Sequence, residues 1–197
     1  GDPSVDASKA YVEALDRGGA DVIELGLPFS EPIAEGPTIQ AASIRALTSG
    51  TTLAGVLDLV RRVREHTNIP IILMGYYNPG FKFGLELFAR EASDAGVDGV
   101  LLVDLPYEET AEIPSFLQPA GIACITLLVP TSPPERRRKL AAEAEGFIYY
   151  VSMTGVTGSA RVDPSVVAPE VRELRKHSAV PVAVGFGISS ADDAAAV

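Results

Sequence analysis

Short apolar runs alternate with longer segments of helical period along the whole chain. Six runs rich in β-branched residues predict strands, because nearly unbroken apolar runs are typical of parallel strands covered on both faces. They are Val22–Leu25, Ile69–Met74, Gly99–Val103, Ala123–Val129, Phe147–Val151 and Val180–Gly185. The predicted helices are about Ser4–Arg17, Thr38–Thr48, Leu53–Glu65, Leu85–Ala95, Tyr107–Leu117, Pro133–Ala144, Pro164–Lys176 and one that begins at Ser189. This alternation predicts repeated βα units.

Glycine and proline mark the ends of these predicted helices. Gly18-Gly19, Gly96 and Gly146 follow helix ends, while Pro133-Pro134 and Pro164 stand at helix starts. No linker, low-complexity tract or shift in composition divides the chain. We therefore predict one domain over residues 1–197.

Two architectures are compatible with repeated βα units, an open doubly wound sheet and a closed (β/α)₈ barrel. A nucleotide-binding open sheet usually carries G-x-G-x-x-G after its first strand, and this chain lacks that pattern there. Polar, glycine-rich loops instead follow several strands, which favours a (β/α)₈ TIM barrel. A complete barrel takes about 250 residues, so the six predicted strands of eight indicate a barrel that is incomplete at both ends. We expect a further strand before Gly1 and a further βα unit after Val197.

Composition and charge narrow the class of protein. Hydrophobic residues make up 47% of the 197 residues, enough for a substantial core, and 26 acidic against 16 basic residues give a net charge of −10. This charge argues against a nucleic acid or an anionic membrane as partner. No apolar run is long enough to predict a membrane span or a secretory signal. The single cysteine, Cys124, lies in an apolar run, which suits a reducing cytoplasm.

Carboxylates are concentrated after the first predicted strand. Glu24 lies in the last turn of an otherwise apolar strand, where partial burial raises the pKa of a carboxyl group, and this favours a functional role over a structural ion pair. Glu35 lies on a Pro/Gly-rich loop before a helix, and its spacing leaves a site role and a helix-dipole role equally open. Glu31 is interpreted as structural or solvent-facing.

Tyrosines and two late loops provide further candidates. Tyr149 and Tyr150 must point to opposite faces of their strand, so one of them can reach the barrel interior. The loops 154–159 and 185–190 are glycine-rich, and together they favour an anion site, although each alone is compatible with a tight turn. No cluster of His, Cys and Asp has metal-ligand spacing, and we predict no metal.

The segment Ile23–Gln40, "IELGLPFSEPIAEGPTIQ", closely resembles the signature of the tryptophan synthase α subunit family. The similarity extends through Met74–Pro79, Val103–Pro106, Thr154–Gly158 and Gly185–Ser189, and so covers practically the whole chain. The resemblance implies a (β/α)₈ barrel. It also implies a lyase that cleaves indole-3-glycerol phosphate to indole and glyceraldehyde 3-phosphate in tryptophan biosynthesis.

The resemblance also implies roles for individual residues. Glu24 matches the general acid/base, and Glu35 matches the carboxylate that accepts a hydrogen bond from the indole N–H; with Tyr149 they form our set of catalytic candidates. The remaining matches lie around the indole and phosphate pocket and predict substrate-binding residues. They are Ile39, Tyr76, Leu101, Thr157, Gly158, Gly185, Phe186 and Gly187. No cofactor is expected in this chain. Pyridoxal phosphate is expected only in a β subunit that receives the indole in an α2β2 complex.

One departure from the family pattern concerns the site itself. The family usually has Asp where this chain has Glu35, so one extra methylene must be accommodated. A misplacement of the carboxylate by about 1 Å can cost on the order of 10²-fold in rate. Two alternatives to the lyase remain open. In the first, the chain is a non-catalytic or weakly active partner of the β subunit. In the second, it is another phosphosugar-processing barrel enzyme.

Overall fold

The computed structural model describes residues 1–105, 113–152, 163–185, 187–188 and 190–196. Within it, contacts between Cα atoms divide the chain into two compact units, Gly1–Cys124 and Ile125–Val197, and the division falls inside one strand. Each unit is described by itself below.

The first unit alternates helices and parallel strands. Its strands are β1 (Ile23–Gly26), β2 (Ile71–Gly75), β3 (Gly99–Leu102) and the beginning of β4 (Ala123–Leu128). Its helices are α1 (Val5–Arg17), α2 (Pro37–Thr48), α3 (Leu53–Arg64), α4 (Tyr77–Phe83), α5 (Leu85–Ala95) and α6 (Ile113–Leu117), followed by a 3₁₀ turn at Gln118–Ala120. Each of these strands pairs with the next in parallel.

Alternation along the strands separates two faces of this sheet. Ile23, Ile71, Leu73 and Val100 belong to one buried cluster with apolar side chains of α3 and α5. Because side chains alternate along a strand, Glu24, Ile72 and Leu101 stand on the opposite face. The pairing register aligns Glu24 with Ile72 and Ile72 with Gly99. The face opposite to the one packed against α3 and α5 therefore carries the carboxylate.

Local chemistry explains the helix ends. Ser4 and Thr52 begin α1 and α3, and each hydroxyl accepts a hydrogen bond from a backbone N–H of the first turn, at 3.2 and 3.1 Å. α5 ends at Gly96, which has φ = +89°, a conformation that glycine adopts without steric cost.

The second unit contains the rest of β4 with β5 (Glu145–Val151) and β6 (Val182–Gly185), again parallel. Its helices are α7 (Pro134–Glu143), α8 (Pro164–Arg175) and α9 (Ala191–Ala196). Its buried cluster places Leu128, Ile148 and Tyr150 with apolar residues of α7 and α8. Tyr149 consequently stands on the other face of β5, as the alternation predicted.

The predicted strands are all confirmed, and their ends differ from the prediction by at most two residues. β5 starts earlier than expected because it contains a bulge: Ile125 pairs with Glu145, but Thr126 pairs with Ile148. Gly146, at φ = +63°, lies in this bulge and does not simply end the preceding helix. The pattern analysis missed α4, because Pro79 and Gly80 indicate a turn when considered alone. The predicted helix Tyr107–Leu117 is confirmed over Ile113–Leu117, and residues 107–112 lie outside the described residues.

Candidate active site

Glu24 is the second residue of β1, on the face opposite to the one that packs against the helices. Its strand neighbours Ile23 and Leu25 contact the buried core on the other side. Neighbouring strands are about 4.8 Å apart, so the side chains of Glu24 and Ile72 stand side by side. A carboxylate is thereby held on a rigid strand beside an apolar neighbour.

The surroundings of Glu24 raise its pKa. Protein atoms around the carboxyl group displace part of its water, and this burial is the cause of the raised pKa. The side chain as a whole still has an exposed surface, so desolvation is partial. Within the described part of the chain no cation forms an ion pair with Glu24. The alternative of a structural ion pair therefore finds no support among these residues.

Glu35 lies on the loop between β1 and α2, one residue before the buried Gly36. The loop turns tightly, since the Glu35 N–H donates to the Pro32 carbonyl at 3.0 Å. The Gln40 side-chain amide donates to the Glu35 carbonyl at 2.8 Å and ties the loop to the first turn of α2. Burial raises the pKa of the Glu35 carboxyl group as well. Ile39, on the same turn of α2, is half-buried.

Tyr76 follows β2 and lies directly against this loop. Its side chain is buried, and its hydroxyl accepts a hydrogen bond from the Ala34 N–H at 2.9 Å. Its ring contacts the ring of Phe29, with centroids 5.1 Å apart. Burial raises the pKa of the Tyr76 hydroxyl; the Ala34 hydrogen bond opposes this shift, and the charges of Glu35 and Asp104 add to it. Tyr76 is therefore a neutral hydroxyl at neutral pH, flanked by two carboxylates.

The sequence analysis missed two residues of this site. Phe29 supports Tyr76 through the ring contact just described, and Asp104 accepts a hydrogen bond from the Tyr77 N–H at 2.9 Å. Asp104 lies two residues after the end of β3, in a loop where an acidic side chain often serves as an acceptor, so its residue type was the available signal. No comparable signal marks Phe29, because an aromatic residue in a loop is compatible with packing anywhere.

Leu101 stands on the same sheet face as Glu24, in register with Met74 of β2. It is fully buried, without solvent-accessible surface. Its predicted contact with substrate stays a prediction, and so do the substrate contacts of Ile39 and Tyr76.

In the second unit, Tyr149 and Gly185 form a close pair. A Cβ atom added to Gly185 would lie 2.3 Å from the Tyr149 hydroxyl oxygen, so the tyrosine side chain occupies the space over this glycine. Gly187 has φ = +72°, which favours glycine, and Ser190 accepts a hydrogen bond from the Asp193 N–H at 3.1 Å at the start of α9. Thr157, Gly158 and Phe186 lie outside the described residues, as does the whole loop 154–159.

The residues that the structure describes contain no group of three or more His, Cys, Asp or Glu side chains arranged to hold a metal ion. None of their helices has the length and apolar character needed to cross a membrane.

Parallel strands joined in order by helices are typical of α/β barrels, and a carboxyl group of raised pKa on one of the strands is typical of an enzyme of that class. The family model for the tryptophan synthase alpha chain matches residues 1–197. The chain belongs to the tryptophan synthase alpha chain family.

Relatives and solved structures agree with this assignment. The tryptophan synthase alpha chain of Geobacter sulfurreducens is 55% identical over all 197 residues, which span 75% of that protein. That of Geotalea uraniireducens is 53% identical over 96% of this chain and 71% of its own length. A Legionella pneumophila alpha subunit superimposes with a TM-score of 0.88 at 39% identity, over 98% of this chain and 71% of that one.

A chain from the tryptophan synthase a2b2 complex of Pyrococcus furiosus superimposes with a TM-score of 0.89 at 39% identity, over 98% of this chain and 77% of that one. These likenesses confirm the (β/α)₈-barrel prediction, with six of the strands in the described part of this chain.

Proposed function

We propose that this chain cleaves indole-3-glycerol phosphate to indole and glyceraldehyde 3-phosphate, with Glu24 as the acid–base residue. The observation that carries the proposal is the environment of Glu24. Its carboxyl group stands on β1, burial raises its pKa, and it has no ion-pair partner among the described residues. A general acid/base works best when its pKa approaches the working pH. The cleavage of indole-3-glycerol phosphate itself is inferred from membership of the tryptophan synthase alpha chain family.

Glu24 serves the reaction through two proton transfers. In its protonated form it donates a proton to C3 of the indole ring, which turns that carbon tetrahedral and leaves positive charge on the ring. As a carboxylate it then takes the proton of the adjacent glycerol hydroxyl. The C–C bond breaks, its electron pair returns to the indole ring, and the hydroxyl carbon becomes the aldehyde of glyceraldehyde 3-phosphate. Glu24 ends protonated, as it began, so no external acid or base is consumed.

Glu35 stabilises the positive charge that develops on the ring. Its carboxylate accepts a hydrogen bond from the indole N–H, an interaction that strengthens as the charge grows. The raised pKa of Glu35 follows from burial, and partial exclusion of water strengthens such a charge interaction. The loop that carries it is tied to α2 and to Tyr76, so the extra methylene of Glu relative to Asp has to be taken up by the side chain.

The further assignments also follow from the family. We place the chain in the cytoplasm, in a complex with a tryptophan synthase β subunit like the a2b2 complex from which the Pyrococcus furiosus relative comes. We propose that it needs no cofactor of its own and that pyridoxal phosphate belongs to the β subunit. We assign the substrate phosphate to the backbone around Thr157, Gly158, Phe186 and Gly187.

Replacement of the proton carrier tests the function. We expect Glu24→Gln to lower kcat by about 10³-fold, since Gln keeps the shape but carries no transferable proton. Indole release is measured for the full chain, alone and with β subunit added. Glu31→Gln is the matched control, because Glu31 is an exposed carboxylate of the neighbouring loop. A Glu24→Gln enzyme with near wild-type rate contradicts the role of Glu24. A wild-type chain that releases no indole under either condition contradicts the lyase function and favours a non-catalytic partner.

A further inference from the structure

The loop that carries Glu35 is held by one side chain that directly follows the next strand, β2. Tyr76 contacts this loop at two places: its ring packs on Phe29 at the beginning, and its hydroxyl accepts the Ala34 N–H at the end. The hydrogen-bonded amide belongs to the residue directly before Glu35. The loop segment 29–34 is thus anchored at both ends by one buried side chain.

The strands bring Tyr76 to this place. The Leu27 N–H donates to the Met74 carbonyl at 2.8 Å, which extends the pairing with β2 by one residue beyond the end of β1. The Leu27 side chain also lies over Gly75, where an added Cβ would be 2.9 Å from Leu27 Cβ. This close approach requires a glycine before Tyr76. The position of the tyrosine relative to the loop is therefore set by the sheet and not by the loop itself.

The Glu35 carboxylate has no such anchor of its own. Among the described residues no side chain donates a hydrogen bond to it or pairs with it; the contacts of Glu35 are made by its backbone N–H and carbonyl. Where this carboxylate lies consequently depends on where the loop backbone is held. Within the described residues, the Ala34 amide contacts the end of another strand only through the Tyr76 hydroxyl.

We propose that Tyr76 is a positioning residue, whose hydroxyl holds the Ala34 amide and thereby keeps the Glu35 carboxylate in place for the reaction. This inference rests on the proposed function, since it presupposes that Glu35 acts on the indole ring. It assigns to the Tyr76 hydroxyl a task different from that of the Tyr76 ring, which packs on Phe29. A tyrosine hydroxyl is neutral at neutral pH, and here burial first, then the charges of Glu35 and Asp104, raise its pKa further, so it does not become a competing anion beside Glu35.

A double-mutant cycle separates positioning from packing. Tyr76→Phe keeps the ring and removes the hydroxyl, and we expect kcat to fall about tenfold while KM changes less than about twofold. In a Glu35→Ala background no carboxylate is left to position, so the same change should alter kcat by less than about twofold. The matched control is Tyr77→Phe, which removes the hydroxyl of the next residue along the chain. Circular dichroism of each full-length variant confirms that it folds.

Amide hydrogen exchange of Ala34, measured by NMR, provides a readout that is independent of activity. In Tyr76→Phe we expect this amide to exchange about tenfold faster, with no change in Tyr77→Phe. Two results would overturn the proposal and leave the lyase function intact. One is that the kcat losses of Tyr76→Phe and Glu35→Ala multiply when the two changes are combined. The other is that the Ala34 exchange rate in Tyr76→Phe is unchanged. A Glu35→Ala enzyme with wild-type kcat contradicts the role of Glu35 in the proposed function, and the positioning role falls with it.

Discussion

Glu24 shows at the scale of one residue how function and stability compete. The strand position next to Ile72 would be stabilised more by an apolar side chain than by a carboxyl group that loses part of its water. The chain nevertheless carries the carboxyl group there. Catalytic sites often retain such locally unfavourable groups, because the same desolvation that lowers stability brings the pKa toward the working pH.

This competition predicts a pH-dependent gain in stability for Glu24→Gln. The pKa of Glu24 is raised in the folded protein, so the unfolded chain releases this proton at a lower pH than the folded chain does. The wild type therefore loses stability as the pH rises from the unfolded-state pKa, about 4.3, through the raised pKa of the folded state. Gln does not titrate. We expect the variant to be more stable at pH 8 by less than about 1 kcal/mol, since the exposed part of the side chain is screened by water. At pH 4 the difference should shrink.

Urea unfolding followed by circular dichroism at pH 4, 6 and 8 measures this difference, and it suits a chain that contains no tryptophan. The control Glu31→Gln should change the free energy of unfolding by less than about 0.5 kcal/mol, as is usual for exposed positions. A Glu24→Gln variant that is less stable than wild type at pH 8 would show that the carboxylate has a stabilising partner.

At the scale of the elements, an arginine on α3 joins a helix to two strands. The Arg64 Nε donates to the Gly96 carbonyl at 2.8 Å, and the same guanidinium donates to the Ile69 carbonyl and pairs with Asp98. Asp98 also accepts the Ile71 N–H at 2.8 Å, at the beginning of β2. Gly96 leaves room for the arginine, since an added Cβ would be 3.0 Å from Nε. One charged group thereby satisfies several backbone atoms where α3, β2 and β3 meet.

We therefore predict that Arg64→Ala lowers the free energy of unfolding by about 2 kcal/mol, because it leaves backbone carbonyls without their donor. The matched control on the same helix is Arg62→Ala. Arg62 pairs with Asp6, whose side chain is 82% exposed, and an exposed pair contributes about 0–1 kcal/mol. Urea unfolding of both variants at neutral pH gives the comparison. Equal losses in the two variants would mean that the Arg64 cluster acts only as a surface ion pair.

At the scale of the whole molecule, the described residues of the two compact units form buried clusters of different size. Among the described residues the buried cluster of the first unit holds twenty residues, and that of the second holds seven. Burial of apolar surface is the main stabilising contribution to folding, at roughly 25 cal/mol per Å². Local stability should therefore be higher in the first unit.

Hydrogen exchange of the full chain, read by mass spectrometry, tests this difference. We expect the amides of β2 and β3 to exchange at least about tenfold more slowly than those of β5 and β6 under native conditions. The reason is the larger cluster that α3 and α5 form over the first pair of strands. Equal protection of the two pairs of strands would show that the chain opens only as one cooperative body.

Much of the fold was predictable because its determinants are local. The strands and most helices follow from periodicity, and periodicity also separates the faces of a strand: Tyr149 and Tyr150 had to point to opposite sides. Which of the two packs under the helices was shown only by the structure. Residue type in an apolar strand likewise identified Glu24 as a candidate, whereas the site role of Glu35 came from the family resemblance. These features require only backbone geometry and the cost of burying a polar group.

Only the tertiary structure decided which distant groups meet. Tyr76 and Ala34 are 42 residues apart, and Arg64 and Asp98 are 34 apart; each contact depends on strand register and on the approach of neighbouring elements. The bulge at Gly146 and the short helix α4 depend in the same way on their neighbours. A sequence period determines which face a side chain occupies, but partners across that face are selected by packing and hydrogen bonding in three dimensions.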